Sequence, residues 1–540
     1  MTIDPTLNRL LLELDELRSG FSAAAALTNG PRPEPSMAGP SYAPRDIACL
    51  IDKLASLPMT DDVWQRPVVV RTLTAVVGWL RRRIIARADG QGRNGNDVGE
   101  PLAAVDVGLW RALYRELSPR HPVRPLILCL LLCVGSTDAL QAFVEVVTRD
   151  PPADVRGAIE PFGMLFQLSG DQARALFPGL LEGLQQVAVA GLILDYSNFL
   201  YRQAGWKPHP AAAQAAGLIE LLGQIADRLR KLQELNPESL ASVAQAGRQV
   251  TESVPLAISL CDTLALIGDR DAIGPLYKTS AVDHRRLRVE SAAALARLGE
   301  EQGRQMLIAM AAEPIERLRV LAYADELQLQ DRLEPRFTTD QARAEAALAH
   351  RLAEPTQFGL PPRRLECLDH RRQPWPGFDA PVDCYLFRYD YLLPTEELAN
   401  IGIAGPVVYT MIADLTGLSC DDLYCLFAGW DVSHPEIVLL EPSQLSPRLQ
   451  PHAGRLRVAL ADAEGYQQVR IEAYGQFFEE IVLIASATRR EQAGLLLVSS
   501  DKFEWIPIHN PRRPLGPTEA FYLFVGHRLF AAFRQDEEPG

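Results

Sequence analysis

Apolar positions in the middle of the chain follow a fixed period. Leu256, Leu264, Ala265, Ile267, Gly268, Asp269 and Leu276 return 31 residues later as Leu287, Leu295, Ala296, Leu298, Gly299, Glu300 and Leu307. Leu287-Arg288-Val289 comes round once more as Leu318-Arg319-Val320. A helical unit that recurs with a fixed glycine predicts stacked helices, each burying its apolar face against its neighbours. Val289, Ala292, Ala293 and Ala296 share one face of their helix, where alanine lets the next helix come close. Gly268 and Gly299 are expected to end their helices in the left-handed conformation that is cheap only for glycine. The third unit departs from the pattern, with Glu326 in place of the leucine and Gln330 in place of the glycine.

The flanking segments carry other patterns. Leu7, Leu10, Leu11, Leu14 and Leu17 make a helical stripe, so residues 1–28 read as an N-terminal amphipathic helix and the proline-rich residues 29–46 as a tether. Residues 47–355 read as a helical-repeat solenoid, most regular over 256–334, with a looser echo at 126–170 in which Pro161 should kink or break a helix. The apolar run 125–134 is about half of the ~20 residues a membrane span requires, and it predicts a core helix. Prolines at 355, 361, 362, 374, 376 and 381 mark a boundary, after which residues 356–540 read as a small α+β domain. The fold class expected is therefore mainly α, a solenoid followed by that α+β domain.

Within 356–540 the alternation of Val382 to Tyr391 predicts a strand with two demanding faces. Tyr385, Phe387, Tyr389 and Tyr391 lie on one, and Val382, Cys384 and Leu386 on the other. Ser419 and Asp422 form the signature of a helix start, with Gly429 as its end. Residues 405–415 read as a helix, and 456–460, 469–474, 480–486, 495–499 and 503–508 as strands. Residues 521–525 and 529–533, either side of Gly526-His527, read as a hairpin.

The unit LRVESAAALARLGEEQGRQML, and more loosely LAISLCDTLALIGDRDAIGPL, resembles the HEAT-like repeats of phycobilin lyases and many bacterial scaffold proteins. The resemblance covers about 256–334. It implies a ladder between an arginine of the first helix and an acid after its glycine, positions held here by Arg288, Arg319, Asp269 and Glu300. It also implies a non-catalytic protein-binding scaffold, with a phycobilin-lyase-like enzyme as the alternative. Another protein is the expected partner. Arg288 and Arg319, with the aromatic face Tyr385, Phe387, Tyr389 and Tyr391, are the candidate interaction surface.

A net charge of -14 disfavours a duplex nucleic-acid binder, and an acidic groove in the helical stack would fit basic partners better than anionic ones. Arginine greatly outnumbers lysine, which occurs only at 53, 207, 231, 278 and 502, a usage typical of GC-rich bacterial coding. Eight cysteines are sparse for 540 residues and fit reduced thiols. Met1 to Pro5 lacks the order of a secretory signal. A cytoplasmic protein without membrane insertion is expected.

Candidate chemistry is thin. Cys420, Cys425 and His434, with Cys367, His370 or Cys384, have no zinc-binding spacing, and Cys420 and Cys425 fall about 140° apart around a helix. Asp421 and Asp422 suit the positive end of a helix dipole. Gly90 to Gly95 spells G-x-G-x-x-G but follows an arginine-rich helix instead of a strand. Neither G-x-S-x-G, H-E-x-x-H nor a P-loop occurs. No catalytic residue, cofactor or metal is assigned.

Overall fold

In the computed structural model, helices build the described chain up to Ala353 and two antiparallel sheets dominate the remainder. The structure describes Leu14 and residues 43–88, 99–234, 240–392, 396–500 and 502–536. Apart from Leu14, the expected N-terminal helix, all but the last residues of the tether, and the Gly90–Gly95 loop lie outside the described residues.

Two compact units divide the chain, Met1–Arg304 and Gln305–Gly540. In the first, the apolar run forms a helix, Val123–Val134, that is buried along nearly its whole length. Pro161 does not end its helix, which runs from Val155 to Leu165. Helix Leu240–Ile267 packs against Val187–Gln203 and Arg285–Arg297. Its part Gln249–Ile267 is, among the described residues, long and apolar enough by length and composition to cross a membrane.

A polar network ties these helices together. The buried amide oxygen of Asn198 accepts from Thr263 Oγ1 at 2.9 Å and stands 3.0 Å from His209 Nε2. Its Nδ2 donates to Asp262, which also takes Arg202 and Arg297. Burial pushes His209 down to about 4. The neutral ring therefore donates from Nε2 to Asn198 while Nδ1 accepts from the backbone N–H of Ala211.

Helix ends follow the glycine pattern. Gly268 and Gly299 have φ of 81° and 89°. After Gly299 the backbone N–H of Glu300 reaches back to Leu295 O at 3.0 Å, as in a Schellman motif. The third unit ends in the same way with a different residue. Gln328, at φ 57°, takes the left-handed position, and Leu329 N–H donates to Ala324 O at 2.7 Å. The alanine face is buried as expected, with Val289, Ala292, Ala293 and Ala296 all inside.

The second unit begins with helices α1 (Pro314–Glu326) and α2 (Asp340–Ala353), upstream of the proline-rich segment expected to mark the boundary. Strands β1 (Arg364–Gln373), β2 (Val382–Leu392), β3 (Glu397–Ala404) and β4 (Tyr409–Thr410) form one antiparallel sheet in sequence order. Then come α3 (Cys420–Asp431), β5 (Ile437–Leu440), α4 (Gln450–Ala461), β6 (Gln467–Phe477), β7 (Glu480–Arg489), β8 (Gln492–Val498), β9 (Phe503–Pro507) and α5 (Pro517–Asp536). Strands β5 to β9 make the second sheet, again in order.

Apolar alternation assembles these pieces into layers. Cys384, Leu386, Ile401 and Ile403 of the first sheet and Val482, Ile484, Leu495 and Leu497 of the second share one core with α3 and α5. The first sheet's other face packs Tyr385, Phe387, Tyr389 and Tyr391 against Ala344, Leu348 and Leu352 of α2. The second sheet's other face packs Tyr474, Leu483, Leu496 and Val498 against Ala453 and Leu456 of α4. The order is helix, sheet, helix pair, sheet, helix.

Three local expectations are corrected. Residues 405–415 are not a helix, because buried Asn400 donates to Met411 O and Ala413 O and accepts from Leu415 N–H, claiming groups a helix would need. Residues 456–460 belong to α4, which Pro451 opens in its first turn. Residues 521–533 are not a hairpin but continuous helix within α5.

Candidate functional site

The expected aromatic surface is an interior one. Tyr385, Phe387, Tyr389 and Tyr391 are all buried under α2, and Tyr391 OH donates to Leu360 O at 2.9 Å. The alternation was real, but its aromatic face is occupied by the chain itself. Arg288 and Arg319 are partly buried and belong to different units. Glu300 pairs with Arg270 at 2.9 Å, so the acid after the second glycine meets the residue after Asp269.

The cluster Cys420, Cys425 and His434 is not brought together either. His434 packs on the ring of Phe478. Among the described residues no group of three or more His, Cys, Asp or Glu side chains is placed to hold a metal ion. Cys425 instead meets His527, a residue 102 positions away.

That meeting follows from how α3 and α5 pack. Asp422, Cys425 and Gly429 fall on one stripe of α3 at i, i+3 and i+7. Gly429 lies against the carbonyl of Tyr522 and Gly526 against that of Cys425, with no room at either for a β-carbon. The two backbones touch, and His527, next to Gly526, is delivered onto the Asp422–Cys425 stripe. Glycine inside a helix costs about 1 kcal/mol relative to alanine, a penalty this crossing requires twice.

His527 bridges the stripe. Its Nε2 is 3.0 Å from Asp422 Oδ1 and its Nδ1 is 3.3 Å from Cys425 Sγ. The other Asp422 oxygen accepts from Ser419 Oγ at 2.8 Å, and the Ser419 cap also receives the Asp422 backbone N–H. The hydrogen bond to Asp422, helped by the one to Cys425, raises His527 to about 10. The same contact holds the Asp422 carboxyl below the usual carboxylate range. At neutral pH the ring is an imidazolium and donates from both nitrogens.

Cys425 and His527 border a cavity of about 790 Å³. Arg371, Arg372, Lys502, Arg528 and Arg534 line it, against the carboxylates Asp421 and Glu504. Arg371 is held by Asp369 and Asp421 over the ring of Tyr424, Arg372 by Asp383 at 3.5 Å, Lys502 by Glu504 and Arg528 by Glu480. Arg534 is exposed and has no ion partner among the described residues. No protein-family model and no curated protein sequence matches this chain.

His527 had no signal in the sequence. Asp422 and Cys425 are legible as helix residues, but the apolar runs on either side of Gly526-His527 have the pattern of a hairpin and nothing local links His527 to them.

Proposed function

We propose that this chain is a protein-binding scaffold on HEAT-like helical repeats, and that its C-terminal unit engages an anionic group of the partner in the cavity between Arg371, Arg372, Lys502, Arg528 and Arg534. The repeat reading is supported by the left-handed helix ends at Gly268 and Gly299, the buried alanine face and the Arg270–Glu300 pair. The binding reading is carried by one observation: a chain of net charge -14 gathers five basic side chains around one cavity, where Asp369, Asp383, Asp421, Glu480 and Glu504 pair with four of them and Arg534 has no ion partner among the described residues. Converging like charges on an otherwise acidic protein focus the field and select an anion.

Calorimetric titration of the full chain with succinate and with a glutamate-rich peptide tests this. Binding that weakens as salt rises, and is lost in the double variant Arg372→Glu/Arg534→Glu, is expected. Affinity indifferent to salt and to charge reversal would rule the reading out.

A further inference from the structure

We infer that Cys425 is the nucleophile of a thiol-dependent acyl-transfer centre whose substrate carries an anionic group near the reacting carbonyl. The anionic part of this inference rests on the cavity reading above; the thiol chemistry rests on separate geometry. Cys425 Sγ, His527 and Asp422 form a linear chain of contacts at 3.3 and 3.0 Å, with Ser419 fixing the far carboxylate oxygen at 2.8 Å. A nucleophile, a base within reach of it, and a third group orienting the base make the arrangement that activates a weak nucleophile. Cys425 and His527 both open on the cavity, whereas Cys129, Cys133 and Cys261 lie in helix interiors with thiols pushed up by burial.

The steps balance on these groups. Cys425 passes its thiol proton to His527 Nδ1, giving a thiolate beside the imidazolium; the thiolate lone pair forms a bond to the acyl carbon and the carbonyl pair moves to oxygen. Collapse of the adduct breaks the bond to the leaving oxygen or nitrogen, which takes the proton from Nδ1. A water then gives its proton to Nδ1 and its oxygen to the thioester carbon, and the carbon–sulfur bond breaks to return the thiolate and the acid. Asp422 holds the ring with Nε2 protonated throughout.

The full chain is mixed with 4-nitrophenyl hydrogen succinate or 4-nitrophenyl acetate, and adducts are mapped by mass spectrometry. A stoichiometric burst with the succinate ester and a hydroxylamine-labile succinyl group on Cys425 are expected. Cys425→Ser, nearly isosteric, should lose the labile adduct, and His527→Gln should slow acylation about 100-fold or more with the fold intact by circular dichroism. Absence of any Cys425 adduct from either ester overturns the nucleophile. If that happens while succinate still binds, only the cavity reading survives. Equal reaction with both esters upholds the thiol chemistry and overturns the anionic selectivity.

Discussion

Gly526 rests against the backbone carbonyl of Cys425 with no space for a β-carbon between them. The contact sets how deeply α3 and α5 cross, and so sets the reach of His527 to Cys425 and Asp422. Gly526→Ala should separate the helices. Overpacking of this kind costs about 1–3 kcal/mol, more than the roughly 1 kcal/mol that alanine gains in helix propensity. Urea denaturation should show the net loss, and the raised His527 titration should fall toward the ordinary histidine range. A variant as stable as the parent, with His527 unmoved, would mean the crossing has slack the geometry denies.

His527 makes the second prediction. Its folded value is above the ordinary one, so its stabilising contribution is full below about pH 6.5 and is lost as pH rises through about 10. The Asp422 contribution has the opposite sign, present above the ordinary carboxylate range and lost as pH falls through its depressed value. Asp422→Asn should bring the His527 midpoint, followed by carbon chemical shift, down from about 10 toward 6.5. Its melting-temperature deficit should be larger at about pH 6 than at about pH 10.5. An unchanged midpoint would contradict the bridge.

The unit boundary gives a third. A cut at the proline-rich segment leaves residues 356–540 without α2 and exposes Tyr385, Phe387, Tyr389 and Tyr391, each worth roughly 1.5–3 kcal/mol when buried. α1 leaves with it, although buried Arg317 pins α1 to α2 by donating to Ala342 O at 2.9 Å and to Glu345. A fragment of residues 305–540 should unfold cooperatively, while 356–540 should aggregate or bind a hydrophobic dye. Cooperative unfolding of the shorter piece would place the boundary back at the prolines.

Gln328 is the fourth. It holds the left-handed helix end that Gly268 and Gly299 hold elsewhere, at about 1–2 kcal/mol more than glycine requires. Gln328→Gly should raise the melting temperature, and Gly299→Gln should lower it.

Much of the fold was legible wherever one rule decided it. Period 2 at Val382 to Tyr391 gave a strand with two buried faces, and Ser419 with Asp422 gave the start of α3. The failures have a common cause in tertiary contact. Phe521 to Val525 is as apolar as a core strand, and Gly526 looked like a turn until the crossing with α3 explained it. Leu456 to Leu460 alternates like a strand, yet Ala453 and Leu456 bury against the second sheet. The aromatic face is legible from its alternation, but nothing local announces that α2 covers it. The Cys425–His527 contact spans 102 residues, and no short motif encodes it.

Site-resolved alkylation of the full chain with iodoacetate and iodoacetamide tests the central claim most directly, using exposed Cys49 as the internal reference. The cationic cavity around Cys425 should favour the anionic reagent. The iodoacetate-to-iodoacetamide rate ratio at Cys425 is therefore predicted to exceed that at Cys49 by roughly tenfold or more at low salt, and to fall toward it at high salt. Equal ratios at the two cysteines at every salt concentration would contradict the account.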